Sequence, residues 1–421
     1  MASGLDVPAG IAQVHGRMVL NTHLEWTPEF TIRLADGRTG RGAAPGAETP
    51  SVFEARRPDR VPDRDTFAEV RKALAGYSFT QGSLDRLLTE RGESWGASVV
   101  YGVSVAFFEA SRAEDDMELP DGAAPVGEVR CPRLLLNVLN GGMHAYTNPV
   151  ACDFHEVLLV PRSDDYEAVI DAYLRVLHRV RTALVDFPQR SVGGNRVHDL
   201  GPGSNEAALA LVEGALKSTG LSGMFGLMVD ASAGDWTDGH RHYALPVTGR
   251  RLTPEGLTKY WLRLMDRFDL TMLEDPCAES DLDGWRALHA ARPAECRLLG
   301  DNLTSTLPSE LAVKAGMVDG VLLKPDQNGT VSGALRFAAM AGERDLQLVA
   351  SHRSVETDTL FLVHLATQVE ADYFKIGPFS DFSSVMRSNT LLRRRGPGDV
   401  PAGRQPGPVP GDPPLTRRDL T

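Results

Sequence analysis

A chain of 421 residues with 42% hydrophobic and 24% charged residues can bury a sizeable core, and it holds no apolar stretch of membrane-spanning length. Its 44 basic and 56 acidic residues give a net charge of −12, which excludes a general nucleic-acid surface, so an anionic substrate needs a local cluster of cations or a metal. The opening MASGLDVPAG lacks the basic-then-apolar order of a signal peptide. Cys131, Cys152, Cys277 and Cys296 show no metal or redox spacing, so a soluble cytoplasmic protein with reduced, mostly core thiols is expected.

The first pattern along the chain is a hairpin. Phe30, Ile32 and Leu34 alternate with more polar neighbours and Asp36-Gly37 follows as a tight-turn pair. The stretch AAPGAETPSVFEARRPDRVPD is rich in Pro, Gly and charge and reads as a long loop, a frequent form of lid. Apolar spacing, such as Leu84, Leu87 and Leu88, predicts helices around 66–75, 82–91 and 97–113. Together these make an N-terminal α+β unit over 1–127. MELPDGAAPVGEVRCPR then reads as a connection, with a boundary near 125–130.

From residue 224 a rhythm sets in: short apolar runs, each carrying a reactive side chain at or near its end, alternate with amphipathic helical segments. The runs are MFGLMVD to Asp230, TMLED with Glu274, RLLGD to Asp301, GVLLK to Lys324, LQLVASH to His352, and YFKIG with Lys375. Strand followed by helix, repeated, is a parallel α/β sheet, and closure into a β/α barrel over 128–395 is the natural reading. The last stretch, 396–421, is dense in Pro, Gly and charge and is expected to be disordered.

In a parallel barrel, side chains at the C-terminal ends of the strands converge on one mouth. Asp230, Glu274 and Asp301 would meet there and repel unless a cation lay between them, and hard oxygen ligands suit Mg2+. A single strand-end acid more often caps the next helix, but three in series followed by cations favour a metal. Lys324 and Lys375 end apolar strands, where an ammonium must be desolvated. One of them, near a metal and other cations, is expected to have a depressed pKa and to act as a base. His352-Arg353-Ser354 offers an imidazole, a guanidinium fork and a hydroxyl, suited to a phosphate and a carboxylate. His144, after a Gly-Gly turn, belongs to the same picture, although a lone loop histidine is more often merely solvated.

The blocks LNVLNGGMHA, MVDASAGDW, MLEDP, LLGDNLTST, LLLKPDQNG, VASHRSVETDT and FKIGPFS, in this order, resemble the enolase family over nearly the whole chain apart from the tail. The resemblance implies an enolase-type β/α barrel, its first strands departing from regular βα order, under an N-terminal α+β cap. It implies Asp230, Glu274 and Asp301 as Mg2+ ligands and Lys324 as the base toward a 2-phosphoglycerate-like substrate. Lys375 becomes the carboxylate lysine, Arg353 and Ser354 the phosphate ligands, and His352 and His144 active-site histidines. Asp153, in CDFHEV, falls where enolases keep a glutamate that serves the acid side of the reaction.

Departures accompany the resemblance. The Gly-Asp-Glu-Gly-Gly stretch of enolases reads GGNRVHDLGPG here, leaving His198 and Asp199 as the nearest equivalents of its acid. The mobile first loop carries Pro45-Gly46-Ala47-Glu48-Thr49-Pro50, with Glu48 in place of a serine that binds a second metal. An N-terminal motif is replaced by Asn21-Thr22-His23-Leu24-Glu25-Trp26. A kept base and a changed acid side resemble the carboxyphosphonoenolpyruvate synthases among enolase-like enzymes, which serve phosphinothricin-type antibiotic synthesis. Ordinary enolase, or a non-catalytic binding protein on the same fold, are the alternatives. The partners implied are a small phosphorylated or phosphonate carboxylic acid and a second copy of the chain, joined by a pair such as Glu29 and Arg393. Neither nucleic acid nor membrane is expected as a partner.

Overall fold

The computed structural model describes residues 6–47, 59–112, 130–141, 146–237, 242–379 and 381–394. Three antiparallel strands, β1 (Ala9–Leu20), β2 (Trp26–Leu34) and β3 (Thr39–Ala43), open the chain, and the expected hairpin turn at Asp36-Gly37 joins the last two. Gly37 takes φ +98°, which a side chain would oppose. Helix α1 (Arg64–Leu74), the short strand β4 (Ser78–Phe79), and helices α2 (Gln81–Trp95) and α3 (Ala97–Ser111) follow, close to the predicted spans. The sheet has order β3-β2-β1-β4. Helix α3 is apolar nearly all round because it is buried nearly all round. It lies directly on β3: a Cβ added at Gly40 would sit 2.1 Å from the Ala110 nitrogen, and one at Gly42 would sit 2.3 Å from the Gly102 oxygen.

The second half begins with β5 (Arg133–Asn140), β6 (Glu156–Pro161), α4 (Tyr166–Leu184), the hairpin β7 (Gln189–Val192) and β8 (Asn195–His198), and α5 (Ser204–Ser218). It continues with β9 (Phe225–Asp230), a 3-10 turn (Ala233–Trp236), the small hairpin β10 (Tyr243–Ala244) and β11 (Arg251–Leu252), α6 (Pro254–Arg267) and β12 (Leu270–Glu274). Then come α7 (Leu282–Ala291), β13 (Arg297–Gly300), α8 (Pro308–Lys314), β14 (Gly320–Leu323), α9 (Pro325–Asn328) and α10 (Val331–Gly342). Strand β15 (Gln347–Ser351), α11 (Phe361–Gln368), β16 (Tyr373–Lys375) and α12 (Phe382–Arg394) complete the described chain.

Eight strands close into a barrel of order β12-β13-β14-β15-β16-β5-β6-β9. Every pairing is parallel except those of β6, which is antiparallel to both β5 and β9. The barrel interior is filled by Leu135, Leu158, Met228, Met272, Leu322 and Val349 with their neighbours, while a larger apolar layer joins strands to the outer helices. The interior is therefore a packed core rather than a pore, and polar chemistry is confined to the rims.

The two halves meet through polar contacts as well. Helix α10 starts on acceptors from the N-terminal helices: the Val331 N–H donates to Ser104 Oγ at 2.9 Å and the Ser332 N–H to Asp85 Oδ2 at 2.7 Å. The Ser104 hydroxyl donates to Asp85 Oδ1 at 2.6 Å. Two orphan donors of a helix start are thereby satisfied from outside the barrel. Glu29, expected to reach a second subunit, is buried and pairs with Arg17 at 3.2 Å and Arg41 at 3.5 Å in its own chain. No helix among the described residues is long and apolar enough to cross a membrane. The expected connection around 125–130 lies almost wholly outside the described residues, and the expected disordered tail at 396–421 lies outside them entirely.

Candidate active site at the barrel mouth

The strand-end rule delivers most of the expected side chains to one cavity. Asp230, Asp301, Lys324, His352, Arg353, Ser354 and Lys375 line it, and Glu274 lies just behind, 1% exposed. Glu48 and His144 fall outside the described residues.

Two lysines organise the acids. Lys375 Nζ sits 2.6 Å from Glu156, 2.7 Å from Asp230 and 2.8 Å from Glu274. Lys324 pairs with Asp301 on the neighbouring strand. Burial works against the Lys375 ammonium, yet Asp230, Glu156 and Glu274 hold its pKa well above the ordinary value. Burial likewise opposes the charges on Asp230 and Glu156, and Lys375 keeps both carboxyls low. Glu274 is the acid left over. Burial and then the Asp230 charge push it well above the usual range, and its Oε1 is buried without a hydrogen-bond partner.

The depressed lysine pKa was expected beside a metal; the protein's own groups act on Lys324 in the other direction. Burial is the largest influence and lowers the pKa, but the Asp301 and Glu274 carboxylates together hold the ammonium above its ordinary value. The loop that carries Arg353 is tied down by several polar contacts. The Arg353 N–H donates to Glu356 Oε1 at 2.7 Å, Arg353 Nε lies 3.3 Å from Asp326, and Glu356 Oε2 pairs with Arg387 at 2.7 Å. The Glu356 N–H reaches Thr22 Oγ1 at 3.0 Å, so the altered N-terminal turn buttresses this loop. The His352 pKa is pushed down to about 4, chiefly by burial, and Gly377 makes room for its ring: a Cβ there would meet Nδ1 at 3.0 Å.

Three expected acid-side residues are elsewhere. Asp153 is buried, and its carboxylate accepts from the Val247 N–H at 2.6 Å, Thr248 Oγ1 at 2.6 Å and Asn205 Nδ2 at 2.9 Å. That carboxylate ties α5 to the turn before β11 and does not line the cavity. His198 closes β8, with its ring 3.3 Å from Gln189 Nε2, and Asp199 accepts from Gly201 and lies 3.3 Å from Arg190. Neither lines the cavity. In their place stand His155 and Glu156, from the same CDFHEV block. Strand β6 runs against its neighbours, so its first residue and not its last faces the mouth. Glu156 also accepts from Asn137 Nδ2 at 2.6 Å.

Among the described residues, no three His, Cys, Asp or Glu side chains form a ready cation cage, because ammonium groups stand between the acids. The donor set nevertheless fits a hard divalent cation. It is all oxygen, buried, in excess over the lysines it meets, and it includes the unpartnered Glu274 oxygen.

Residues 128–396, well over half the chain, match the family model described as "Enolase, C-terminal TIM barrel domain". The matched span contains every strand of the closed barrel and every side chain named at its mouth.

Proposed function

This chain belongs to the enolase family, and on that premise we propose that it is a Mg2+-dependent enzyme of the carboxyphosphonoenolpyruvate synthase type, acting in phosphonate antibiotic synthesis. Its substrate is a small carboxylic acid carrying a phosphoryl or phosphonyl group on its α-oxygen, related to 2-phosphoglycerate or phosphoenolpyruvate. Lys324 removes the α-proton, Lys375 holds the carboxylate, and Arg353 with Ser354 holds the phosphorus-bearing group. Members of the enolase superfamily typically use Mg2+. Asp230, Glu274 and Asp301 would hold it, and it would supply positive charge beside the substrate carboxylate as the α-proton leaves.

One observation carries the choice within the family: base, anion cradle and acids share the mouth, whereas His198 and Asp199 stand outside it. A site that keeps proton abstraction and changes the opposite side stabilises a different transition state. Incubating the protein with 2-phosphoglycerate and Mg2+ tests this reading. Slow or absent formation of phosphoenolpyruvate is expected, and turnover at ordinary enolase rates would overturn the synthase assignment.

Ordinary dehydration is the second reading, favoured by Glu156 within the mouth. A homodimer is also proposed. The turn between β1 and β2 supports it by leaving Leu24 77% and Trp26 66% exposed.

A further inference from the structure

One imidazole at the mouth belongs neither to the anion cradle nor to the proposed base and cation ligands. His155 immediately precedes the inverted strand β6, is 7% exposed, and lines the cavity beside Glu156 and Asp230. Its backbone is fixed on both sides. Its N–H donates to the Asp230 carbonyl at 2.9 Å, and its own carbonyl accepts from the Gly141 N–H and from Asn140 Nδ2, each at 3.2 Å.

The ring is backed by a carboxylate, with His155 Nε2 3.2 Å from Asp235 Oδ2. Asp235 rides on the 3-10 turn after β9, which is pinned by the Ala233 N–H on the Asp275 carbonyl at 3.0 Å. Its neighbour Trp236 is 1% exposed and stacks on Trp261 with centroids 6.1 Å apart. The turn is thus anchored, and its half-exposed Asp235 carboxylate meets the Nε2 edge of the imidazole and biases the edge it offers to the cavity.

Position within the barrel gives this pair its meaning. In the closed order, β6 is four strands from β14 in either direction, so His155 and Lys324 stand on opposite sides of the mouth. A substrate held between them turns one face to the base and the other to the imidazole.

We propose that His155, oriented by Asp235, is a specificity-determining contact that hydrogen-bonds the substrate's β-oxygen on the face turned away from Lys324. It thereby selects glycerate-type acids over analogues that lack that oxygen. The inference rests on the substrate class proposed above. His155 acts on substrate directly, and Asp235 is a positioning residue.

The test measures binding of 2-phosphoglycerate and 2-phospholactate, which lacks the β-oxygen, to the full chain in Mg2+ by calorimetry. Wild type is expected to favour 2-phosphoglycerate by roughly 10- to 100-fold, the range of one hydrogen bond in a desolvated site. His155→Phe abolishes the preference by weakening 2-phosphoglycerate alone. His155→Gln, which keeps a donor, restores part of it, and Asp235→Asn gives an intermediate loss. If His155→Phe is poorly folded, the Gln and Asn variants carry the same comparison.

A wild-type preference that survives unchanged in His155→Phe, or in both of the other variants, overturns the inference and leaves the proposed function standing. Wild type that binds both acids equally also overturns it alone. Wild type that binds neither acid overturns both.

Discussion

Lys324 and Asp301, on adjacent strands of the barrel, form an ion pair inside the mouth. The proposed base is thus held as an ammonium by one of the proposed cation ligands, and removing the lysine should separate chemistry from metal binding. Lys324→Ala is expected to lose about 10²–10⁴ in the rate of α-proton exchange into deuterated solvent, the usual contribution of a general base. It should keep its thermal response to Mg2+. Exchange at the wild-type rate would remove Lys324 from its role.

Burial and the Asp230 charge push the Glu274 carboxyl well above its usual range, and a divalent cation beside it would relieve that penalty. Mg2+ should therefore raise the melting temperature of the wild-type protein. A ligand at a hundredfold excess over its Kd stabilises by about 2.7 kcal/mol. Glu274→Gln should lose most of that gain. An equal Mg2+ response in the variant, read by differential scanning calorimetry, would place the cation elsewhere.

Asp153 was the sequence's choice for the acid side, yet its carboxylate is consumed by Val247, Thr248 and Asn205. Asp153→Ala leaves those buried donors unanswered and should cost about 3 kcal/mol of stability. The activity of the folded fraction should stay within a few-fold of wild type. A stable variant with no activity would return Asp153 to the chemistry.

The pKa of His352 drops to about 4 in the folded chain, mainly through burial. The unfolded chain, near 6.5, takes up this proton first as pH falls. The stability tied to neutral His352 is thus fully present above about pH 6.5 and is lost progressively toward pH 4, by roughly 3 kcal/mol. His352→Asn should flatten that part of the urea-midpoint profile, and an unchanged difference curve would refute it. Other groups titrate in the same window, so the comparison with wild type is the measurement.

The exposed turn between β1 and β2 gives the proposed dimer a handle. Trp26→Glu should shift sedimentation toward the monomer at micromolar protein with no loss of melting temperature, because Trp26 makes little use of its own chain's core. A monomeric wild type would dispose of the dimer.

How far the sequence could be read follows from strand direction. Asp230, Asp301, Lys324 and His352 were found because each stands at or just past the C-terminal end of a parallel strand, where a continuous apolar run stops at a polar residue. Glu156 and His155 were missed because the same rule, applied to the inverted β6, points to Pro161 at the far end. Asp153 was chosen for its place in CDFHEV, and no periodicity could reveal that Asn205 and Thr248 would claim it across 52 and 95 residues. The group that raises the Lys324 pKa was out of view for a related reason. A neighbouring strand decides it, and Asp301 is 23 residues away along the chain.

Asp85 and Ser104 answer the first two N–H groups of α10, the helix that follows the strand and turn bearing Lys324. The stretch that resemblance delimits is therefore a unit of descent without being a self-sufficient one. An excised barrel would begin that helix on unanswered donors directly behind its proposed base. The N-terminal unit is a foundation for that helix, before any question of whether it also serves as a cover.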